Sequence, residues 1–177
     1  TDNTAAAGGA VSLMYESVAA FEKCIFVNNS SITTAGAIHV DTDAAGSFTQ
    51  CDIIDNEGSP LVETYGGGGI YNAGETSVNS CIVRGNLPDQ IKDTSGDMLT
   101  VDYSNIEDGI SGTGNIDADP LFTSPDDFHL LENTPCMDTG DPALPVDPDG
   151  SRADMGVYPY TLYGDVTLDR TISSLDA

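Results

Sequence analysis

The sequence predicts an all-β protein in which short strands stack into a parallel β-helix. The first observation is composition, because 19 glycines, 9 prolines and acidic residues that are mostly Asp favour turns over helices. The second is a repeat: the hexapeptide "CDIIDN" at residues 51–56 recurs as "CIFVNN" at 24–29 and as "CIVRGN" at 81–86. The third is the alternation of apolar and polar residues in short segments, which is typical of half-buried strands. Units of this length cannot bury a face alone, so they are expected to stack as a solenoid.

Alignment on the cysteines extends the repeat in both directions. Bulky apolar residues stand three positions before each cysteine and two positions after it, and an asparagine stands five positions after it. In order, these are Phe21, Phe48 and Val78, then Phe26, Ile53 and Val83, then Asn29, Asn56 and Asn86. A fourth copy, "VDYSNIEDG", places at the same positions Val101, Ser104, Ile106 and Gly109. We therefore expect about four coils with interior columns of aligned side chains, and an Asn column that forms an amide ladder at a left-handed bend.

A second anchor lies upstream of the cysteine position. In three copies a glycine precedes a branched residue, and the branched residues of the four copies are Val11, Ile38, Ile70 and Ile91. The cysteine position recurs at residues 24, 51, 81 and 104, so the repeat length varies between 23 and 30 residues, as expected when loops differ and strands keep register. We expect the glycines to supply positive φ at a bend. The segment "SLMYESVAAFEKC" at 12–24 is expected to form two strands and a bend instead of a helix.

The net charge of the chain limits the kinds of partner that it can bind. With 29 acidic and 5 basic residues the formal net charge is −24. Phosphate binding requires clustered Lys and Arg, so nucleic acids and anionic membranes are excluded as partners. Divalent cations, basic proteins or a high-salt medium suit this surface. No run of about 18 apolar residues is present, so no membrane insertion is expected.

The four cysteines are expected to pack as small buried hydrophobes, because three of them occupy the repeat position. A bridge between neighbouring coils stays open as an alternative, since adjacent strands lie about 4.8 Å apart. The absence of a CxxC motif argues against a zinc–thiolate site. The opening "TDNTAAAGG" does not resemble a translation start, and we expect the chain to be a mature or excised piece of a longer protein.

Residues 114–160 carry the motifs "GNIDADPLF", "FHL", "TPCMDTG", "DPDGSRAD" and "DMGVY". These motifs resemble the terminal segment of the bacterial secreted β-helix proteins called choice-of-anchor Q. The "FVNN"-type repeats are similar to those of polymorphic outer-membrane and adhesin proteins. The resemblance implies a right-handed parallel β-helix in an extracellular or cell-surface protein. We divide the chain into β-helix coils (1–113), a loop-rich C-terminal capping segment (114–160), and a linker or partial dockerin-like calcium loop (161–177).

The tail contains the spacing of an EF-hand-type calcium loop, which needs oxygen ligands at positions 1, 3, 5, 7, 9 and 12. Counted from the first ligand, those positions hold Asp165, Thr167, Asp169, Thr171 (through its carbonyl), Ser173 and Asp176. The spacing resembles the first calcium loop of a type I dockerin, which implies calcium as a possible cofactor and a scaffoldin-type protein as a possible partner. Arg170 stands where such loops normally have glycine, so a linker remnant is an equal alternative.

The capping segment is expected to close the solenoid. Strands or loops from "DADPLF" and "DFHLL" would cover the last coil, with Phe122 and Cys136 as plugs. The turn "DPDGSRAD" at 147–154 begins like a calcium loop, but Arg152 favours a structural turn with a salt bridge to a neighbouring Asp. Three aspartates are expected to accept hydrogen bonds from backbone amides instead of catalysing a reaction: Asp138, Asp141 and Asp154.

The sequence predicts no catalytic residues. A lyase would need a convergent base, and Lys23 and Arg84 lie two coils apart and four residues out of register. A hydrolase would need paired acids. The candidate acids form one outward cluster near His39: Asp41, Asp43, Asp52 and Asp55. The positions equivalent to Asp52 in the neighbouring coils are Ile25 and Ile82, so the acids do not continue in register.

These observations favour an extracellular structural or adhesive β-helix module that could self-associate end to end through an open first coil. A non-catalytic carbohydrate-binding module is the alternative, and a polysaccharide lyase or glycoside hydrolase is the enzymatic one. A sugar-binding module would stack sugars on exposed aromatic rings. The chain has no Trp, and the candidates are Tyr15, Tyr65, Tyr71 and Tyr103.

Overall fold

The computed structural model describes residues 1–59 and 66–162, and within these residues every regular element is a β-strand. In chain order the strands are β1 (Thr4–Ala5), β2 (Val11–Leu13), β3 (Val18–Glu22), β4 (Ile25–Val27), β5 (Ser30–Ser31), β6 (Ile38–Val40), β7 (Ala45–Thr49), β8 (Asp52–Ile54), β9 (Ile70–Asn72), β10 (Glu75–Asn79), β11 (Ile82–Arg84), β12 (Ile91–Asp93), β13 (Leu99–Asp102), β14 (Asn105–Ile106), β15 (Phe122–Ser124) and β16 (Asp127–Leu130). No helix in the described part of the chain is long and apolar enough to cross a membrane.

Three parallel sheets of four strands each run along the solenoid. The first sheet has the order β2-β6-β9-β12, the second β3-β7-β10-β13 and the third β4-β8-β11-β14. Each coil contributes one strand to each sheet, so the chain makes about four coils. This confirms the predicted parallel β-helix, including the two strands and bend expected over residues 12–24.

The predicted interior columns are confirmed in register. Phe21 pairs with Phe48, and Val78 pairs with both Phe48 and Val101. The rings of Phe21 and Phe48 stack with centroids 5.1 Å apart and planes 3° from parallel. The other two apolar columns pair in the same way: Phe26–Ile53–Val83–Ile106 and Val11–Ile38–Ile70–Ile91. These side chains form one apolar core inside the coils.

The cysteine column also lies inside the coils, and all four cysteines of the chain are free thiols. The backbone N–H of Cys51 donates to Sγ of Cys81 over 3.3 Å, and the N–H of Cys81 donates to Oγ of Ser104 over 3.0 Å. Burial is the main cause that raises the pKa of the Cys81 thiol. The hydrogen bond with Cys81 instead lowers the pKa of the Cys51 thiol. The column therefore consists of packed free thiols, and the alternative of a disulfide between coils does not occur.

The predicted asparagine column is a hydrogen-bonded ladder in which all the donor-to-acceptor bonds between asparagines point the same way along the solenoid. The backbone N–H and the Nδ2 group of Asn29 both donate to Oδ1 of Asn56 over 2.9 Å. Asn56 donates in the same way to Oδ1 of Asn86, over 3.0 and 2.8 Å. Every ladder bond thus passes from a donor in one coil to an acceptor in the following coil.

Two residues that the repeat alignment did not include complete the ladder. Asn3 donates through its backbone N–H and Nδ2 to Oδ1 of Asn29, over 3.1 and 2.9 Å. At the other end, Oε1 of Gln90 accepts both donors of Asn86, over 3.1 and 2.8 Å. The expectation that Gly109 occupies the fourth ladder position is therefore wrong. Gln90 is close enough in sequence to Asn86 for its longer side chain to reach back and close the ladder.

The left-handed bend lies one residue earlier than expected. The residue before each ladder asparagine has a positive φ, namely Asp2, Asn28, Asp55 and Gly85. Of the upstream anchor glycines, Gly8 has a positive φ as expected, whereas Gly36 and Gly68 do not. A Cβ on Gly36 would collide with the carbonyl oxygen of Gly68, so close approach of neighbouring coils requires glycine there.

The capping segment lies along the side of the solenoid. Residues 110–116 cover the end of the last coil, where Ile116 pairs with Asn105 and Ile110 packs on the apolar core. The antiparallel hairpin β15–β16 and the loops up to residue 160 instead pack on the outer face of the third sheet. The expectation that "DADPLF" and "DFHLL" cover the last coil is therefore wrong for "DFHLL". Ala118 of "DADPLF" does bind the last coil, through two hydrogen bonds with the side chain of Asn105. Four outer positions of the third sheet are apolar, and the segment packs on them: Ile25, Val27, Ile54 and Ile82.

Candidate functional site

The interface between the third sheet and the capping segment contains a second apolar cluster. From the sheet it includes Val27, Ile54 and Ile82, and from the capping segment Phe128, Leu130, Cys136 and Met155. Cys136 is fully buried, which confirms it as a plug, although it plugs the side of the solenoid. Burial raises the pKa of its thiol to about 11, so this cysteine is unsuited to act as a nucleophile.

Asp52 lies within this apolar interface. It is 0 % exposed, and its outer-face neighbours in the adjacent coils are Ile25 and Ile82. The backbone N–H of Val157 donates to its Oδ2 over 3.4 Å, and no hydrogen-bond donor among the described residues reaches its Oδ1. Desolvation raises the pKa of this carboxyl well above its usual range, and the single backbone hydrogen bond opposes that shift only in part. Burial thus favours the neutral form of Asp52 over the carboxylate.

The acids named as hydrolase candidates do not form a common site. His39 belongs to β6 in the first sheet and Asp41 follows that strand, whereas Asp52 belongs to β8 in the third sheet. The two sheets are different sides of the solenoid. Asp55 follows β8 at a left-handed bend. Its pKa is raised, mainly by desolvation and to a smaller extent by the negative charge of Glu107. The predicted outward cluster around His39 is therefore wrong for the two acids of β8 and its bend, because a strand and a corner separate them from the imidazole.

Most of the basic residues that the structure describes form ion pairs or hydrogen bonds with neighbouring groups. Arg84 lies 2.9 Å from Asp117 and 3.9 Å from Glu107. Lys92 lies 3.8 Å from Asp89. Arg84 in β11 and Lys23, which precedes β4, remain separate, as the sequence indicated, so they do not form a convergent basic pair.

The turn at 147–154 is a structural turn, as expected. Oδ2 of Asp147 accepts the backbone N–H of Asp154, and Asp154 in turn accepts the amides of Asp138 and Tyr160 over 2.6 and 2.7 Å. Arg152 donates to the carbonyl oxygens of Gly140 and Thr139 and lies over the ring of Tyr103. Arg152 is thus engaged by two carbonyl groups and an aromatic ring, and its charge also lowers the pKa of Asp141 after the hydrogen bonds from Asn79 and Ala143.

The tyrosines named for sugar stacking differ in accessibility. Tyr71 is 6 % exposed and meets the ring of His39 edge-on, and Tyr103 is half-buried under Arg152. Tyr15 is 87 % exposed, in the bend between β2 and β3. Tyr65 lies outside the described residues. Neither Tyr71 nor Tyr103 offers the free ring face that sugar stacking requires.

A further aromatic pair, which the sequence analysis did not identify, borders an open groove near the first coil. The rings of Tyr158 and His129 stack with centroids 4.2 Å apart and planes 8° from parallel. Nδ1 of His129 lies 2.5 Å from Oδ1 of Asp127, and this hydrogen bond lowers the pKa of the Asp127 carboxyl. The groove measures about 370 Å³ and is lined in part by Asp126 and Asn28. Aromatic faces beside carboxylate and amide groups are the usual composition of polar ligand sites.

The predicted calcium loop from Asp165 to Asp176 lies outside the described residues. Over residues 1–59 and 66–162, no three His, Cys, Asp or Glu side chains are grouped so that they could hold a metal ion. The calcium loop therefore stays a prediction from the sequence.

The fold defines this chain as a β-solenoid protein of the parallel β-helix class. No family model, no curated protein sequence and no solved structure matches it. Its function must therefore be argued from its own residues.

Proposed function

We propose that the chain is a structural or adhesive parallel β-helix module of a secreted or cell-surface protein. The observation that supports this most is the use of its buried polar side chains. Asn29, Asn56 and Asn86 bind neighbouring coils, and Asp154 binds backbone amides of the capping segment. These groups hold the coils and the capping segment together. The resemblance to secreted choice-of-anchor Q and adhesin-type proteins supports the extracellular location.

Fractionation of the source cells with an antibody against the chain tests this proposal. We expect the protein in the medium or the surface fraction. We also expect no release of reducing ends or unsaturated uronates from a panel of neutral and acidic polysaccharides. A purely cytoplasmic location would overturn the proposal. Turnover above that of a heat-denatured control would replace it with the enzymatic alternative.

A carbohydrate-binding module is the second candidate, and the groove beside Tyr158 supports it. Tyr158 is 37 % exposed, so one side of its ring can meet the apolar face of a sugar while the other packs on His129. The carboxylates of Asp126 and Asp127 lie beside it and could accept hydrogen bonds from sugar hydroxyl groups. Calcium and a scaffoldin-type partner are further proposals that rest on the tail sequence alone.

Replacing Tyr158 with alanine is expected to weaken binding of a retained polysaccharide about threefold to tenfold, as the loss of one aromatic contact of about 0.5–1.5 kcal/mol implies. Affinity electrophoresis with soluble polysaccharides measures this. Tyr15→Ala is the matched control, because Tyr15 is exposed and does not line the groove. Equal retardation of both variants, or no retardation of the unchanged protein by any polysaccharide, would contradict this candidate.

A further inference from the structure

A second open groove lies between the third sheet and the hairpin β15–β16. At about 460 Å³ it is larger than the groove beside Tyr158. One wall consists of the ends of β8 and β11 with the bends that follow them, and the other consists of residues of the segment 119–125. The second and third coils and the capping segment thus form this groove on the side of the solenoid.

The floor of the groove is apolar. Ile54 and Phe128 are 6 % and 7 % exposed, and the ring of Phe122 meets that of Phe128 edge-on with centroids 5.2 Å apart. Pro120 and Pro125 also line the groove. A surface of this kind can hold the methylene groups of a long side chain whose polar end stays at the rim.

The rim of the groove carries two carboxylates, those of Asp55 and Asp119. Neither forms an ion pair with another of the described residues. Oδ1 of Asp119 accepts the backbone N–H of Leu121 over 2.9 Å. The pKa of Asp55 is raised by desolvation and then by the charge of Glu107, so a nearby cation would stabilise its ionised form.

Arg84 also lines the groove, but its charge is already shared between two other acids. Its Nη1 donates to Oδ1 of Asp117 over 2.9 Å, and its Nη2 lies 3.9 Å from Oε1 of Glu107. The guanidinium therefore neutralises acids outside the groove lining. The carboxylates of Asp55 and Asp119 keep the surplus negative charge of this region.

The ligand that complements an apolar floor and an acidic rim is a basic side chain. Lys and Arg combine an apolar methylene stem with a cationic end, and the net charge of −24 attracts cationic partners over a distance. A second copy of the chain is poorly suited, because only 5 of its residues are basic. Three of those are engaged in contacts of their own: Arg84, Lys92 and Arg152.

We infer that this groove binds a basic segment of a partner protein, with a Lys or Arg side chain lying along Ile54 and Phe122 and its charge at the carboxylates of Asp55 and Asp119. This inference rests on the adhesive form of the proposed function and deepens it by naming the chemical class of the partner. The adhesive surface is then the side of the solenoid that carries the capping segment, instead of one of its ends.

Fluorescence anisotropy with a short labelled peptide in which Lys alternates with Leu tests the inference. The matched control peptide has Gln in place of every Lys and keeps the apolar residues. We expect the Lys peptide to bind at least about tenfold more tightly than the Gln peptide, since only the former brings a cation to the rim. Equal affinities, or no binding of the Lys peptide, would overturn the inference.

Two double variants separate the groove from a general attraction to an acidic chain. Asp55→Asn with Asp119→Asn removes the rim charges, and Asn28, at the position of Asp55 in the preceding coil, shows that asparagine fits this left-handed bend. Asp43→Asn with Asp97→Asn removes the same charge from exposed positions outside the groove. We expect the Lys peptide to bind about fivefold or more weakly to the first variant and within about twofold of the unchanged protein to the second. Equal losses in the two variants would overturn the inference.

A charge-matched pair of single variants tests the same site without changing an acid. Ser124 is exposed and lines the groove, so Ser124→Lys places a cation of the chain at the rim. We expect it to weaken binding of the Lys peptide more than Ser111→Lys, which adds the same charge at an exposed position elsewhere. Identical affinities of these two variants would overturn the inference.

Two further measurements address other occupants of the groove. Arg170→Gln is expected to leave the affinity for the Lys peptide unchanged, and tighter binding would assign the groove to the tail and overturn the inference. A neutral polysaccharide is expected not to displace the peptide, and displacement would overturn it as well. Cell location and polysaccharide turnover decide the proposed function, whereas these peptide affinities decide only the role of the groove.

Discussion

Replacing Asn56 with leucine is expected to lower the free energy of unfolding by about 3–5 kcal/mol. Asn56 is 1 % exposed and lies in the middle of the ladder. Its Oδ1 accepts two N–H groups of Asn29, and its Nδ2 donates to the carbonyl oxygens of Phe26 and Ile54 and to Oδ1 of Asn86. Leucine has a similar volume but removes the acceptor of both Asn29 donors and the side-chain donor to Phe26. The carbonyl of Ile54 and Oδ1 of Asn86 keep backbone N–H donors, so about three buried groups lose a partner, at about 1–3 kcal/mol each.

Urea unfolding followed by circular dichroism measures this change. Asn3→Leu is the matched control, because Asn3 is exposed at the first coil of the same ladder and its substitution removes only the Nδ2 hydrogen bond to Asn29, while the backbone N–H bond stays. Water can solvate the groups it frees, so we expect a change of no more than about 1 kcal/mol. Similar losses in the two variants would show that the ladder does not act as a buried, cooperative network.

The interior of the solenoid could be predicted because stacking converts a sequence repeat directly into spatial register. Once the cysteines are aligned, Phe21 must lie next to Phe48, and Ile38 next to Ile70, whatever the loops between them do. Differences in loop length do not change this register, because the residues of the interior columns all belong to the strands. The ends of the ladder were missed because they lie outside the repeated hexapeptide: Asn3 precedes the first copy, and Gln90 reaches its position from a different backbone location.

The position of the capping segment could not be predicted from a repeat, because residues 119–160 contain none. A signal was nevertheless present in the third sheet. The strands "IFV" and "DII" have apolar residues at the outer as well as the inner positions, and such continuous apolar runs are typical of strands buried on both faces. These strands lack the alternation expected for a solvent-facing sheet, and that lack indicates that this side of the solenoid is covered.

The candidate groove beside Tyr158 also depends on how the capping segment packs on the third sheet. His129 and Tyr158 are 29 positions apart in a segment without periodicity, so nothing in the sequence indicated that their rings stack. Asp52 was named as a candidate acid on an outward position, which is correct for its strand face. Its burial follows from the capping segment, whose Val157 lies against it. Knowing which face of a strand a residue occupies was therefore insufficient to assign a role to Asp52 or to the stacked pair of His129 and Tyr158.

Replacing Asp52 with asparagine is expected to stabilise the protein at neutral pH. Burial raises the pKa of this carboxyl in the folded state, so the unfolded chain releases the Asp52 proton at a lower pH than the folded chain does. Stability linked to this group is present below the ordinary carboxyl pKa, and it is lost progressively as the pH rises from there to the raised pKa. Asparagine is nearly isosteric and does not ionise, so the variant lacks this loss. We expect a gain of about 1–3 kcal/mol at pH 7, because each unit by which the folded-state pKa is raised costs about 1.4 kcal/mol once the carboxyl ionises.

The difference in unfolding free energy between Asp52→Asn and the unchanged protein, measured in urea at a series of pH values, isolates this one group from the other acids. We expect the difference to be small at pH 3 and to grow toward pH 7. Asp43→Asn is the matched control, because Asp43 is exposed, and it should change stability by less than about 0.5 kcal/mol throughout. A destabilised Asp52→Asn at pH 7 would mean that Asp52 is ionised and bound by a partner in the folded protein. In that case the buried carboxylate would have to be reconsidered as a ligand site between the third sheet and the capping segment.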